Sequence, residues 1–118
     1  PWEDIAIDES ELALILTEII KNRNGIIFNP AYTLMFQSKG FMKILWDLYP
    51  EHPLLLETSF EPLEGKKQVE KRCFGREGAN TKIINEDGSI EEETEGNYDG
   101  FKAIYQEYVE LPKDEAGN

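Results

Sequence analysis

Apolar residues in the first part of the chain recur at helical spacing. Asp8, with an acid three residues after it, predicts a capped helix start. The apolar positions that follow share one face of this helix, and they are Leu12, Ile15, Leu16 and Ile19. Asn24-Gly25 predicts its end. Residues 1–8 give no clear signal, and residues 25–28 fit either a buried strand or an apolar connector.

Two further helical regions are predicted before residue 50. The first covers residues 31–36, after a break at Asn29-Pro30. The second begins after Ser38 and carries two adjoining apolar stripes, one with Phe41, Ile44, Leu45 and Leu48 and one with Met42, Trp46 and Tyr49. Apolar residues nearly all round a helix predict burial on more than one side. Lys39 stands at the start of this helix, where a cation opposes the helix dipole, so its side chain is either solvated or beside a bound anion.

The second part of the chain has the pattern of strands and turns. Strands are predicted over residues 54–60, 69–74 and 101–109, and residues 81–86 and 89–95 flank the hairpin signal Asp87-Gly88. Helices precede strands along the chain, so we predict an α+β fold with a largely antiparallel sheet. The length of 118 residues predicts a single domain.

The glycine turn, which we define as residues 75–78, follows the predicted strand 69–74. Gly75 and Gly78 allow positive φ and close approach of the backbone to a ligand. Successive N–H groups in such a turn can hold an anion, and Lys71 and Arg76 would add positive charge. The residues alone leave two interpretations open: a site for a phosphorylated ligand, or a structural turn whose basic neighbours are solvated.

Charge is distributed unevenly along the chain. Twelve basic and twenty-four acidic residues give a net charge of −12, which argues against a nucleic-acid partner and a membrane-surface role. Residues 66–82 nevertheless contain six basic residues and two acidic ones. This basic segment surrounds the glycine turn, which favours the anion site.

The few cysteine and histidine residues limit the disulfides and metal sites that this chain could form. Cys73 is the only cysteine, which predicts a reducing, cytoplasmic compartment, and we interpret it as a small buried strand residue. His52, in a proline-flanked loop, has no second His or Cys near it and does not predict a metal site. The chain has no long apolar run that predicts a membrane span and no familiar phosphate-binding, metalloprotease or serine-hydrolase motif.

Five segments of the chain occur in a familiar order. They are FNPAY at 28–32, SKGF at 38–41, LWDLYPEHP at 45–53, KRCFGREGAN at 71–80 and IYQEYVELP at 104–112. Together they resemble the glutathionylspermidine synthase family, which has an ATP-grasp fold. Asn29 stands where this family usually has glutamate, and Arg72 stands where a proline usually follows the lysine.

The resemblance implies an ATP-dependent ligase that forms an amide C–N bond. In this family ATP phosphorylates a carboxylate of glutathione, and an amine of a polyamine attacks the acyl phosphate. Lys39 and Lys71 match the two lysines that neutralise the nucleotide phosphates. Gly75, Arg76, Glu77 and Gly78 match the flexible loop that covers them. The strand whose backbone meets the adenine edge is matched by Gln106, Glu107, Tyr108 and Val109.

The family's Mg²⁺ ligands, catalytic residues and glutathione contacts match nothing in this chain. We therefore predict no catalytic or metal-binding residue within it and expect the Mg²⁺ ligands outside it. The resemblance implies that residues 1–118 form the small, lid-bearing subdomain of an ATP-grasp ligase, with helices on one face of its sheet. Alone it would be inactive, and the rest of the protein would bind a thiol peptide and a polyamine. The alternative is a small acidic protein-interaction module with a structural glycine turn.

Overall fold

The computed structural model describes residues 2–112, and their side chains from residue 4 onward. The chain divides into two compact units after Gln37. The predicted α+β class is confirmed, because helices come first and a five-stranded antiparallel sheet follows in the second unit. The single-domain organisation stays a prediction. Among residues 2–112, no helix is long and apolar enough to cross a membrane.

The first unit is helical. It contains α1 (Trp2–Asp8), α2 (Ser10–Asn22), a 3-10 helix (Ala31–Thr33) and α3 (Leu34–Gln37). The last two confirm the helical region predicted over residues 31–36. Helix α1 lies where the sequence gave no clear signal.

The ends of α2 differ from the prediction. The predicted cap Asp8 is wrong, because Asp8 ends α1 and Glu9 is the N-cap residue, with no capping hydrogen bond from its side chain. The helix ends before Asn24-Gly25, since Arg23 already adopts a left-handed conformation with φ 55°. The N–H of Arg23 donates to the carbonyl of Ile20 at 3.2 Å, and the N–H of Asn24 donates to that of Ile19 at 3.0 Å. These two hydrogen bonds satisfy carbonyl groups in the last turn of α2, and the helix ends there.

Residues 25–28 do not form the buried strand that the sequence allowed. They lie in no helix or strand, so they form the connector. Ile26 and Phe28 are 89% and 88% exposed. An apolar run alone does not determine burial, because burial depends on what other segments supply to cover it.

The second unit contains one helix and all five strands. Its elements are α4 (Gly40–Leu48), β1 (Thr58–Ser59), β2 (Gln68–Arg72), β3 (Lys82–Ile84), β4 (Ile90–Glu93) and β5 (Ala103–Glu107). The strand order is β1-β5-β2-β3-β4, and every neighbouring pair is antiparallel. Helix α4 packs against β1. The hairpin prediction is confirmed by β3 and β4, where Gly88 has the positive φ of 83° that such a turn requires.

The strands are shorter than predicted. The strand predicted over residues 54–60 is reduced to Thr58–Ser59. Strand β2 ends at Arg72, so Cys73 and Phe74 already lie in the following turn, although Cys73 is buried as expected. Strand β5 lies between β1 and β2, and its Ile104 is 1% exposed. Burial of a side chain of this size stabilises a fold by about 1.5–3 kcal/mol.

The predicted burial of α4 on more than one side is wrong. Burial on more than one side was expected, yet Ile44 and Leu48 are 50% and 64% exposed and Tyr49 is 58% exposed. Phe41, Met42, Leu45 and Trp46 are half-buried. Each predicted stripe is therefore only partly covered: Phe41 and Leu45 are half-buried on the first stripe, while Ile44 and Leu48 on the same stripe face solvent.

Candidate anion-binding site

The glycine turn is a compact structure directly after β2. The N–H of Gly75 donates to the carbonyl of Arg72 at 3.1 Å, and the N–H of Ala79 donates to that of Arg76 at 2.9 Å. Gly78 has a φ of 72°, with open space where a Cβ would stand, so its glycine is required by conformation. At Gly75 a Cβ would lie 3.3 Å from the Cβ of Arg72, so a side chain there would need a small shift of its neighbour.

Lys39 connects the start of α4 to this turn. It is the N-cap residue of α4, and its backbone N–H donates to the carbonyl of Cys73 at 2.8 Å. Its Nζ donates to the carbonyl of Gly75. The lysine at the start of α4 thus directs its charge away from the helix axis and towards the glycine turn.

Lys71 reaches the same region from the sheet. Its Nζ donates to Oε1 of Gln106 at 2.9 Å. The register explains this bond: Lys71 lies opposite Ile104, so Gln106 is its diagonal neighbour on the same face of β5. The amide of Gln106 is held in turn by Thr58, whose Oγ1 accepts from Nε2 at 3.2 Å. An uncharged oxygen is therefore the acceptor for the Lys71 ammonium group.

One cavity of about 290 Å³ joins these residues. Its lining is made by Lys39, Lys71, Arg72, Gly75, Arg76, Glu77, Gly78, Ala79 and Thr81. The structure therefore brings together both predicted lysines and all four residues of the glycine turn. Their role in binding a nucleotide stays a prediction.

The pKa values of both lysines at this cavity are lowered. Burial lowers the pKa of Lys71, and the nearby Lys39 ammonium lowers this pKa further. Burial also lowers the pKa of Lys39, partly opposed by the Cys73 thiol. Within residues 2–112, neither ammonium forms an ion pair with a carboxylate. Two like charges in a partly buried hollow repel each other, and a multivalent anion bound between them would relieve this repulsion.

A family model described as "Glutathionylspermidine synthase preATP-grasp" matches residues 1–118. The chain belongs to the glutathionylspermidine synthase family. This description refers to the pre-ATP-grasp part of the family, so the lid-bearing assignment stays a prediction.

Relatives of this family align over most of the chain. The bifunctional glutathionylspermidine synthetase/amidase of Escherichia coli K12 is 30% identical over 108 residues, which cover 89% of this chain and 17% of the relative. Trypanothione synthetase of Crithidia fasciculata is 27% identical over 115 residues, which cover 95% of this chain and 17% of the relative. The chain thus spans 17% of the length of both relatives.

The two departures from the glutathionylspermidine synthase pattern have local explanations. Asn29 has a φ of 61°, and asparagine tolerates this left-handed conformation better than glutamate does. Arg72 is the last residue of β2, and its Nη2 lies 3.5 Å from a Glu70 oxygen and 3.4 Å from an Asp99 oxygen. Arg72 therefore adds charge to the cavity wall where the family usually has proline.

The strand that the family resemblance assigned to adenine does not line this cavity. Gln106, Glu107, Tyr108 and Val109 are all absent from the lining, and Gln106 is connected to it only through the hydrogen bond from Lys71. The N–H of Glu107 donates to Glu57 and that of Tyr108 donates to Lys67, both to backbone carbonyls, at 2.9 and 3.0 Å. These segments continue away from the glycine turn.

Sequence reasoning missed several residues of the site. Ala79 and Thr81 line the cavity without any signal in the sequence. Asn80, directly after the glycine turn, has a φ of 50° and is buried. Its residue type was a usable signal, since asparagine is enriched in left-handed conformations.

Proposed function

We propose that this chain supplies the phosphate-binding part of an ATP-dependent ligase that joins a carboxylate to an amine. One observation carries the proposal: Lys39 and Lys71 present two ammonium groups with uncharged hydrogen-bond acceptors to one cavity beside a glycine turn. Phosphoryl transfer depends chiefly on positioning and charge neutralisation, and these groups provide both.

The proposed reaction has two steps. A carboxylate oxygen attacks the terminal phosphorus of ATP, ADP leaves, and an acyl phosphate forms. The amine nitrogen then attacks the acyl carbon, inorganic phosphate leaves with its electron pair, and the amine loses a proton. Within this chain, Lys39 and Lys71 would neutralise the phosphates, and the glycine turn, with Arg76 and Glu77, would cover them as the lid.

The adenine is proposed to lie along the end of β5. In this proposal the adenine edge lies along the backbone of Gln106, Glu107, Tyr108 and Val109, without using the N–H groups of Glu107 and Tyr108, which donate to Glu57 and Lys67. Strand β5 supports the idea, because Gln106 is hydrogen-bonded to Lys71 and the three following residues lead away from the phosphate cavity. A nucleotide has the same order, with its phosphates at one end and its base at the other.

The remaining parts of the reaction are proposed to lie outside the chain. Among the described residues, no group of three or more His, Cys, Asp or Glu side chains could hold a metal ion. We therefore assign the Mg²⁺ ligands to the rest of the protein and expect the isolated chain to be inactive. The names of the relatives support glutathione-like thiol peptides and polyamines as substrates.

The experiment that tests this proposal is a calorimetric ATP titration of the full-length protein. Lys71→Ala should weaken ATP binding about tenfold or more, because a charge-assisted hydrogen bond is lost. Lys66→Ala is the matched control, since Lys66 is an exposed lysine of the same basic segment that pairs with Glu57 at 2.5 Å. Equal ATP affinities for the two variants would overturn the proposal.

A protein-interaction module is the second candidate function. Exposed apolar side chains in the first unit favour it, and these include Ile26, Phe28, Met35 and Phe36. The same titration separates the two functions, because an interaction module with a structural glycine turn has no ATP affinity to lose.

A further inference from the structure

Asn80 makes an unusually complete set of hydrogen bonds at the end of the glycine turn. Its Oδ1 accepts from the N–H of Tyr98 at 2.8 Å. Its Nδ2 donates to Oδ1 of Asp99 at 3.0 Å and to the carbonyl of Gly96 at 3.2 Å. The side chain is buried, so the loss of these partners would leave polar groups unsatisfied.

Gly96 provides the space that Asn80 occupies. A Cβ at residue 96 would lie 2.4 Å from Oδ1 of Asn80 and 2.7 Å from the Cβ of Ala79. Neither distance is compatible with a side chain at residue 96. The segment 96–99 and the residues after the glycine turn are therefore shaped to fit each other.

Asp99 links both ends of the glycine turn. One oxygen of its carboxylate accepts from Asn80 after the turn and from Nη2 of Arg72 before it, at 3.0 and 3.4 Å. Thr94 adds a third attachment, since its Oγ1 donates to the carbonyl of Gly78 at 2.5 Å. The base of the turn is thus fixed on a framework that is separate in sequence.

We propose that Asn80 is a positioning residue that holds the base of the glycine turn in register with the two lysines. This inference rests on the proposed function, because it assumes that the turn covers the ATP phosphates. Asn80 itself is not among the residues that line the cavity. It acts through the framework of residues 96–99, which fixes the chain on both sides of the turn, at Arg72 and at Asn80.

The first test is hydrogen exchange in the full-length protein. Asn80→Gly keeps the left-handed backbone without strain and removes the amide. We expect exchange of the N–H groups of Gly75 and Ala79, which are hydrogen-bonded within the turn, to rise about tenfold, with β2 and β5 unchanged. Asn97→Ala is the matched control, because it removes an exposed amide from the neighbouring loop without adding backbone freedom and should leave residues 75–79 as in the wild type. A uniform rise across the whole sheet would indicate a purely structural role and overturn the inference.

A reciprocal exchange of residues provides the rescue. Asn80→Asp places a carboxylate beside Asp99 and should accelerate exchange in residues 75–79. Adding Asp99→Asn restores a donor and an acceptor between these two side chains in reversed order but leaves the Gly96 carbonyl without its donor, so exchange should return part of the way to the wild-type rate. If the double variant exchanges as fast as Asn80→Asp alone, the hydrogen bond between these side chains does not position the turn.

Kinetics separate this inference from the proposed function. Asn80→Gly should raise the KM for ATP about tenfold while the KM values for the carboxylate and the amine stay unchanged. Failure of the wild type to bind ATP would refute the proposed function, whereas the exchange data would still test the role of Asn80. Suppose that Asn80→Gly shows wild-type hydrogen exchange and a wild-type KM for ATP, while Lys71→Ala binds ATP more weakly. This result would refute the role of Asn80 and leave the proposed function standing.

A second variant keeps the test valid if Asn80→Gly does not fold. The Asp99 side chain is mostly exposed, so Asp99→Ala should fold normally. It removes one partner of Asn80 and one of Arg72, and it should raise exchange in residues 75–79 by a smaller factor. Wild-type exchange in Asp99→Ala would contradict the proposed framework.

Discussion

The cavity beside the glycine turn and the outer region, which we define as Lys67 together with the β3–β4 hairpin, contain lysines in opposite electrostatic environments. In the outer region Lys67 pairs with Glu91 at 2.7 Å and Lys82 pairs with Glu93 at 2.9 Å, and these hydrogen bonds raise the pKa values of both lysines. At the cavity, burial lowers the pKa values of Lys39 and Lys71, whose acceptors are uncharged oxygens. Lysines are thus paired with carboxylates in one region, whereas the two lysines of the cavity are proposed to bind an external anion.

The largest expected effect comes from removing both lysines of the cavity. Lys39→Ala combined with Lys71→Ala should lower ATP affinity about 100-fold or more, because two charge-assisted hydrogen bonds are lost. The matched control combines Lys66→Ala with Lys82→Ala, which changes the net charge equally at two lysines that are paired with carboxylates. Calorimetric titration of the full-length protein should show near wild-type affinity for this control. Equal losses would mean that only overall charge matters.

A pair of glycines sharpens the same comparison. Gly78 in the turn and Gly88 in the hairpin both have positive φ, at 72° and 83°, with open space where a Cβ would stand. Alanine at either site should cost about 1 kcal/mol of unfolding free energy, measured by urea denaturation. Only Gly78→Ala should also raise the KM for ATP. An equal rise in Gly88→Ala would contradict a specific role of the turn.

The pH dependence of ATP affinity should reflect the lowered pKa of Lys71. The anion binds the protonated lysine, so affinity should fall as pH rises through this lowered pKa, before the ordinary value of 10.5 is reached. Arginine stays charged over this range, so Lys71→Arg should reduce the decline. Titrations with a fluorescent nucleotide from neutral to alkaline pH measure this decline in affinity. Superimposable pH profiles for the wild type and Lys71→Arg would argue against the site.

The smallest effect is a gain in stability. Because the pKa of Lys71 is lower in the folded chain, the unfolded chain binds more protons between the two pKa values, and the free energy of unfolding rises with pH there. Below this interval the full penalty for the charged lysine is present. Lys71→Gln keeps a donor for Gln106 without the charge and should stabilise the protein by on the order of 0.5 kcal/mol after solvent screening. A stability loss in urea denaturation would show that Lys71 is a structural cation.

Sequence patterns predicted those parts of the fold that depend on local chemistry. Asp87-Gly88 identified the hairpin, because its turn type requires positive φ at specific positions. The same patterns failed where burial depends on distant segments: Ile44 and Leu48 of α4 lie on an apolar stripe yet are exposed. Helix α2 ended early because Arg23 reversed the chain before the glycine.

The sequence predicted which residues belong to the candidate site, but it did not predict the ion pairs and hydrogen bonds that connect them. The resemblance identified Lys39, Lys71 and the glycine turn, which the structure brings to one cavity. The ion pairs that neutralise Lys67 and Lys82 depend on strand register, so the sequence grouped all the basic residues together. The framework around Asn80 depends on contacts with residues 96–99, which no local pattern describes.

The most direct test of the central claim is the ratio of ATP to AMP affinity, measured by calorimetry in the full-length wild type and in the Lys39→Ala, Lys71→Ala double variant. Two ammonium groups that converge on a triphosphate should make the wild type bind ATP much more tightly than AMP, and their loss should bring the two affinities close together. An unchanged ratio in the double variant would show that Lys39 and Lys71 do not contact the terminal phosphates.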